Sequence, residues 1–176
     1  MADRWLNKCK DYVIKNKYNV SAFFIAISFA IMFSIFSILQ YYSLATSAFD
    51  LGINAQELWA FIHTGSFYTP LLNENLLIEH FTLFKFIQIP LYYICPSPIT
   101  LMVFEDIFIA MAGYIVYLIS RTIIGYRIKS QKILFMISVT FLISYEMSPY
   151  VQSLVSFPFH NMAFRSVNHF ITFSDN

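Results

Sequence analysis

The sequence has few charged residues: Asp, Glu, Lys and Arg make up 12% of its 176 residues, whereas 58% are hydrophobic. A water-soluble globular protein needs a polar surface, and about a quarter of its residues are normally charged. The composition therefore excludes a soluble globule and predicts an integral membrane protein. The net charge of +1 gives no broadly basic surface, so no nucleic-acid partner is expected.

Cysteine is also scarce, and the first apolar run lacks a signal-peptide cleavage site near its end. The two cysteines, Cys9 and Cys95, lie far apart and show neither metal-ligand spacing nor a disulfide framework. The first apolar run is followed by Gln40-Tyr41-Tyr42 rather than by small residues. It is therefore expected to remain as a membrane anchor and not to be removed as a signal peptide.

Basic residues are absent from a long internal segment. No Lys or Arg occurs from Gln40 to Phe84, whereas acidic residues do occur there. The basic residues instead concentrate in 1–19 and in 121–132. By the positive-inside rule both basic clusters are cytoplasmic, and so is the N-terminus, while the loop after Gln40 lies outside.

Three apolar runs predict about three transmembrane helices, at 20–41, 99–120 and 133–148. At about 1.5 Å per residue the first run reaches roughly 33 Å, enough to cross a hydrocarbon core of about 30 Å. The predicted fold class is an all-α, multi-pass protein of the cell membrane. It consists of a basic N-terminus (1–19), a membrane domain (20–160) and a polar tail (161–176).

The long first extracytoplasmic loop is predicted to hold amphipathic interface helices. The first covers 51–64 and ends near Gly65, with one apolar stripe at helical spacing and polar residues opposite. The stripe consists of Leu51, Ala55, Leu58, Trp59 and Ile62, and the opposite side of Gln56, Glu57, Ala60 and His63. A second element covers 71–95: its first part, 71–79, suits a short surface helix. The rest, 80–95, is interrupted by Pro90 and is predicted to be short or re-entrant.

Asp50 is the first candidate for chemistry, because it follows a transmembrane helix and opens a surface helix. A carboxylate there could act as a general base or as a metal ligand. The alternative, which composition alone favours, is that Asp50 caps the helix from Leu51, or completes a capping box with Ser47.

Other candidates lie at predicted outer-face positions. His80 and His160 could converge on Asp50 and bind a divalent cation or a phosphate, or they could serve as hydrogen-bonding spacers. Lys85 could hold a lipid phosphate, although snorkelling to the headgroups is favoured. Two acidic residues inside the second span, Glu105-Asp106, are consistent with function or with interhelical hydrogen bonding. Glu146 is expected at the membrane interface.

Several short motifs keep a fixed order along the chain from about Ser47 to His160. They are Phe49-Asp50-Leu51-Gly52-Ile53, Gln56, Trp59, Gly65, Asn75, His80-Phe81, Pro90-Leu91-Tyr92, Pro96-Ser97-Pro98-Ile99-Thr100-Leu101 and Phe159-His160. Together they resemble the predicted membrane-protein family called domain of unknown function 2079, which is grouped with the GT-C-type glycosyltransferases.

The resemblance implies a multi-spanning enzyme that transfers a sugar from a polyprenyl-phosphate donor at the extracytoplasmic face. Asp50 matches the acidic residue expected in the first outer loop and is the implied catalytic residue. Further candidate substrate-binding residues are Gln56, Trp59, His80, Lys85 and His160, and Asp50 and His80 are candidate ligands of a divalent metal ion. Membrane lipid and other membrane helices are the remaining expected partners.

The sequence also departs from the family pattern. The family has other residues at three places, which are here occupied by Thr82-Leu83, Glu105-Asp106 and Asn161-Met162. The polar tail stands where a further helix is expected. These departures predict a truncated and inactive N-terminal part of such an enzyme. The alternative is a non-catalytic membrane protein, a transporter fragment or a helper subunit, whose interface helix and Glu105-Asp106 contact a partner.

Overall fold

The computed structural model describes residues 16–44, 48–69, 74–75 and 83–156. The elements in chain order are α1 (Lys17–Tyr42), α2 (Ala48–Thr64), β1 (Tyr68–Thr69), β2 (Glu74–Asn75), α3 (Leu83–Ile94), α4 (Pro98–Gly125), α5 (Gln131–Glu146) and α6 (Pro149–Ser156). Apart from one short strand pair these elements are helices, which confirms the predicted all-α class. The predicted basic segment up to residue 15 and the polar tail 161–176 lie outside the described residues.

Within the described ranges, two helices are long and apolar enough to cross a membrane: α1 with 26 residues and α4 with 28. At about 1.5 Å per residue both exceed a hydrocarbon core of about 30 Å. The predicted spans 20–41 and 99–120 lie within them. Helices α5 and α6 form a third candidate span if they are taken together across a bend of 45°. Pro149 begins α6 at that bend, where a residue without a backbone N–H cannot continue the preceding helix.

Helix α3 covers most of the segment predicted to be short or re-entrant. It has 12 residues, with Pro90 inside it. Its length of about 18 Å, at 1.5 Å per residue, is too short to cross the hydrocarbon core.

The strand pair corrects one prediction. β1 and β2 pair antiparallel, with Tyr68 opposite Asn75 and Thr69 opposite Glu74. The predicted surface helix over 71–79 is therefore wrong at residues 74–75. Their backbone pairs with β1 because the chain doubles back, and local leucine spacing does not encode that return.

Helix α2 ends where the sequence predicts, at Gly65. Gly65 has a φ of 72°, and its N–H donates to the carbonyl of Phe61 at 2.9 Å. Glycine adopts this left-handed conformation without the steric penalty of a Cβ, which is how many helices end.

The predicted apolar stripe of α2 is only partly right. Leu51, Ala55 and Leu58 are buried, but Trp59 is 50% exposed. Glu57, predicted on the polar side, is buried instead. The difference arises because α2 contacts both α3 and β1, which bury residues outside the predicted stripe as well.

The described chain divides into two compact units. In one unit the described residues up to Phe33 join Asp106–Gln152, and in the other the described residues of Ser34–Glu105 join those from Ser153 onward. The core of the first unit is a fully buried cluster of Ala22, Ala26, Tyr117 and Leu142. The alanines of α1 let helix backbones approach closely, as small residues do in membrane helices.

Arg121 ties together three helices of the first unit. Its guanidinium donates to Asn19 on α1, and to the hydroxyl of Tyr117 on α4 at 2.7 Å. It also donates to the side-chain oxygen of Gln131, at the start of α5, at 2.7 Å. The Tyr117 hydroxyl in turn donates to Asn19 at 3.1 Å. A basic residue predicted only to set membrane topology therefore also joins helix ends.

Candidate functional site

A buried ion pair joins α2 to α3 in the second unit. The Nζ of Lys85 donates to Oε2 of Glu57 at 2.5 Å. Glu57 is 1% exposed and Lys85 is 9% exposed, so both charges are removed from solvent. Each charge is compensated by the other, because an isolated charge in an apolar interior would be far too costly.

The environment of the pair is apolar on α2 and α3. The adjoining core is a cluster of Ala55, Leu58, Tyr92 and Leu101. Burial raises the pKa of the Tyr92 phenol above its usual range, and nearby Tyr41 raises it further. Both effects disfavour the phenolate, so Tyr92 stays neutral.

Two oxygens near the pair are buried without a hydrogen-bond partner among the described residues. They are Oε1 of Glu57 and Oε1 of the neighbouring Gln56. Buried acceptors are satisfied in most native structures, so such acceptors call for an explanation, and sites of function are one. The pair and these two acceptors define the α2–α3 polar site, consisting of Gln56, Glu57 and Lys85.

Asp50 belongs to the same helix as this site. It is the third residue of α2 and lies seven positions before Glu57. With 3.6 residues per turn, positions 50 and 57 fall on the same face of the helix, about 10 Å apart along its axis. The side chain of Asp50 is outside the described part of the structure.

An aromatic pair lies on the exposed side of α2. The rings of Trp59 and His63 stack with centroids 4.3 Å apart and planes inclined by 22°. Nδ1 of His63 lies 2.8 Å from the carbonyl oxygen of Trp59. Because a carbonyl only accepts, Nδ1 carries the hydrogen in this contact.

The sequence of the chain matches one family of membrane proteins. The sequence profile of the family described as predicted membrane protein, DUF2079, matches residues 40–170. The chain belongs to this family. No curated protein and no solved structure matches the chain. The matched range contains the α2–α3 polar site, so the site belongs to the DUF2079 region and not to the flanking N-terminus.

The structure places the predicted site residues of this DUF2079 protein as follows. Gln56 and Trp59 lie on α2, where Gln56 is half-buried and Trp59 is exposed. Lys85 lies on α3, and its predicted snorkelling is wrong because it is buried and paired with Glu57. His80 and His160 lie outside the described residues. The substrate-binding roles of these residues stay predictions.

The acidic residues of the second predicted span lie inside α4. Asp106 is 2% exposed and Glu105 is half-buried. Both have interactions within the protein. Interhelical bonding and function therefore both stay predictions for this pair.

Sequence reasoning missed Glu57, which it placed among the polar residues of an interface helix. One signal was available: an acid and a base in largely apolar helices both need an explanation, and each is the simplest partner for the other. Their separation of 28 positions exceeds any helical spacing, so the pairing could not be derived locally.

Proposed function

We propose that this DUF2079 chain forms the donor-binding corner of a GT-C-type glycosyltransferase that uses a polyprenyl-phosphate sugar at the extracytoplasmic face. The observation that carries the proposal is the buried Glu57–Lys85 pair, two helical turns after Asp50 on α2. Buried ionisable groups in a membrane domain are costly, and they concentrate where a protein handles polar substrates.

In the proposed reaction Asp50 accepts the proton of an acceptor hydroxyl. The hydroxyl oxygen attacks the anomeric carbon of the donor sugar, a new glycosidic C–O bond forms, and the bond from that carbon to the phosphate oxygen breaks. The electron pair leaves with the polyprenyl phosphate. The Glu57–Lys85 pair fixes α2 against α3 and so positions Asp50, while Gln56 supplies a buried acceptor for a sugar hydroxyl.

A divalent ion held by Asp50 and His80 is the second role proposed for these residues. Among the described residues no group of three or more His, Cys, Asp or Glu side chains could hold a metal ion. The side chains of Asp50 and His80 lie outside the described part of the structure, and the proposed reaction contains no step through a metal.

The test is transfer from radiolabelled polyprenyl-phosphate hexoses by the full chain reconstituted in lipid vesicles. Asp50→Asn removes the base without changing the size of the side chain, and transfer should fall by about 10²- to 10⁴-fold. Glu74→Gln, which removes another acid of the same loop, should leave transfer unchanged. Wild-type transfer by Asp50→Asn would overturn the proposal. No transfer from any such donor by the wild-type chain would overturn the proposed activity and would agree with the inactivity predicted from the departures from the family pattern.

A non-catalytic role, as a transporter fragment or helper subunit, is the second candidate. It is favoured by the mutual neutralisation of Glu57 and Lys85, since a charge occupied by its partner is not free to bind a substrate. This role would be supported by two results together. The membranes show no sugar transfer, and both Asp50→Asn and Glu74→Gln keep the abundance and the binding partners of the wild-type protein.

A further inference from the structure

Glu146 is a fully buried carboxyl in the first unit. It is the last residue of α5, and its exposed fraction is 0%. Neither Oε1 nor Oε2 has a hydrogen-bond partner among the described residues. This differs from Glu57, whose charge is matched by Lys85.

The carboxyl packs against bare backbone on α4. A Cβ built on Gly113 would lie 2.0 Å from Oε1 of Glu146 and 2.9 Å from its carboxyl carbon. Any side chain at position 113 would therefore occupy the space of the carboxyl. The absence of a side chain at Gly113 is what admits Glu146 to the interior.

Among the described residues, the ionisable groups around Glu146 offer it no positive charge. On its own helix Tyr145 is adjacent, and on α6 the nearest ionisable side chain is Tyr150, which acts on Tyr145. On α4, Asp106 lies seven positions before Gly113, at the same face of the helix. Between Asn19 and Gln40, α1 has no ionisable side chain. A carboxylate without a cation or donor is strongly disfavoured in such a place, so Glu146 is held in its neutral form.

The backbone of Glu146 is fixed, while the adjoining bend is open to the surface. The side-chain amide of Gln152 donates to the carbonyl of Glu146 at 2.8 Å. Met147, the next residue, is 50% exposed. The residue after Glu146 therefore lies at the protein surface, at the bend between α5 and α6.

We propose that Glu146 is a proton-binding site of the membrane domain. The carboxyl is neutral while it packs on Gly113, and it ionises only when α4 and α5 separate enough to admit water. Proton release is thereby coupled to a helix contact. This proposal is independent of any sugar transfer.

The test is modification by N,N′-dicyclohexylcarbodiimide, an apolar reagent that reacts with protonated carboxyls, followed by peptide mass spectrometry. The wild-type chain in lipid vesicles should be modified at Glu146 at pH 7, where an exposed glutamate with a pKa of about 4.3 is ionised and inert. Glu146→Gln should lose this adduct. Glu57→Gln should keep the adduct at Glu146.

The pH profile completes the test. Modification of Glu146 should decline as the pH is raised above neutrality, because the reactive species is the acid. If Glu146 is unmodified at pH 7 but reacts below about pH 5, it behaves as an ordinary exposed glutamate. That result, or an adduct whose yield does not change with pH, would overturn the proposal.

A second variant tests the geometry. Gly113→Ala should displace the carboxyl into water, so that the adduct at Glu146 falls severalfold at pH 7. Gly52→Ala is the matched control, because a Cβ there would meet nothing within 4 Å, and it should leave the adduct unchanged. Unchanged modification in a folded Gly113→Ala protein would contradict the coupling. Should this variant fail to fold, the pH profile of Glu146 modification in the wild-type chain still decides whether Glu146 binds the proton.

Discussion

Glu57 and Lys85 can be buried as charges only because each compensates the other. Burying either one alone would cost several kcal/mol, and their attraction at 2.5 Å offsets this cost only while both are present. The pair is nevertheless imperfect, because Oε1 of Glu57 is buried without a partner in the described chain. A purely apolar contact between α2 and α3 could be equally stable, so stability alone does not explain these residues.

This energy balance can be tested with a double-mutant cycle. Lys85→Met leaves an unpaired buried carboxylate and should lower the free energy of unfolding by about 3–5 kcal/mol. Glu57→Leu should cost a similar amount, whereas the double variant should unfold within about 1 kcal/mol of the wild type, because no charge remains buried. Unfolding in mixed detergent micelles, followed by circular dichroism, measures all four proteins. Additive losses in the double variant would show that the two side chains do not act as a pair.

Individual helices were predictable where a single physical requirement determines them. α1 follows from a charge-free run longer than the bilayer core, and α4 follows from an apolar run of similar length that contains Glu105 and Asp106. A helix satisfies every backbone group within lipid. The end of α2 follows from Gly65, the residue best able to adopt a φ of 72°. The β1–β2 pair was not predictable, since strand pairing depends on where the chain returns.

The role of Arg121 could not be predicted either. Its partners Asn19 and Gln131 belong to different helices, and only the folded arrangement brings them to one guanidinium. From the sequence, Arg121 and Arg127 are equivalent members of one basic cluster. In the structure they differ, since Arg127 is exposed and Arg121 is only partly so.

Replacing these two arginines one at a time separates the effect of the positive charge from the effect of the side-chain contacts. Arg121→Met should lower the free energy of unfolding by about 2 kcal/mol, because hydrogen bonds to a charged group are lost at three helices. Arg127→Met removes the same charge from the same cluster, but it should change the free energy of unfolding by no more than about 0.5 kcal/mol. Both values come from detergent unfolding of the reconstituted protein. Equal losses would mean that the shared charge, and not the contacts of Arg121, carries the effect.

For the whole molecule, the class was predictable but the site was predictable only in part. Composition and hydropathy suffice to show a membrane protein, because they sum over the whole chain. Lys85 was recognised as a charge that needed an explanation, but its partner lies 28 positions earlier. The burial of Glu146 likewise depends on Gly113 in another helix. Such contacts arise from packing between helices, and no local pattern contains them.

Membrane orientation is the last prediction, and the two native cysteines can test it. Because α3, as far as it is described, is shorter than the bilayer core, the chain should stay on the outer side from Gln40 until α4 begins at Pro98. Cys95, which is exposed, should then react with a membrane-impermeant maleimide on intact cells of a Cys9→Ser variant. In Cys95→Ser the remaining Cys9, in the basic N-terminus, should react only after the membrane is permeabilised. The opposite pattern would reverse the orientation, and labelling of both cysteines only after permeabilisation would place an additional crossing between them.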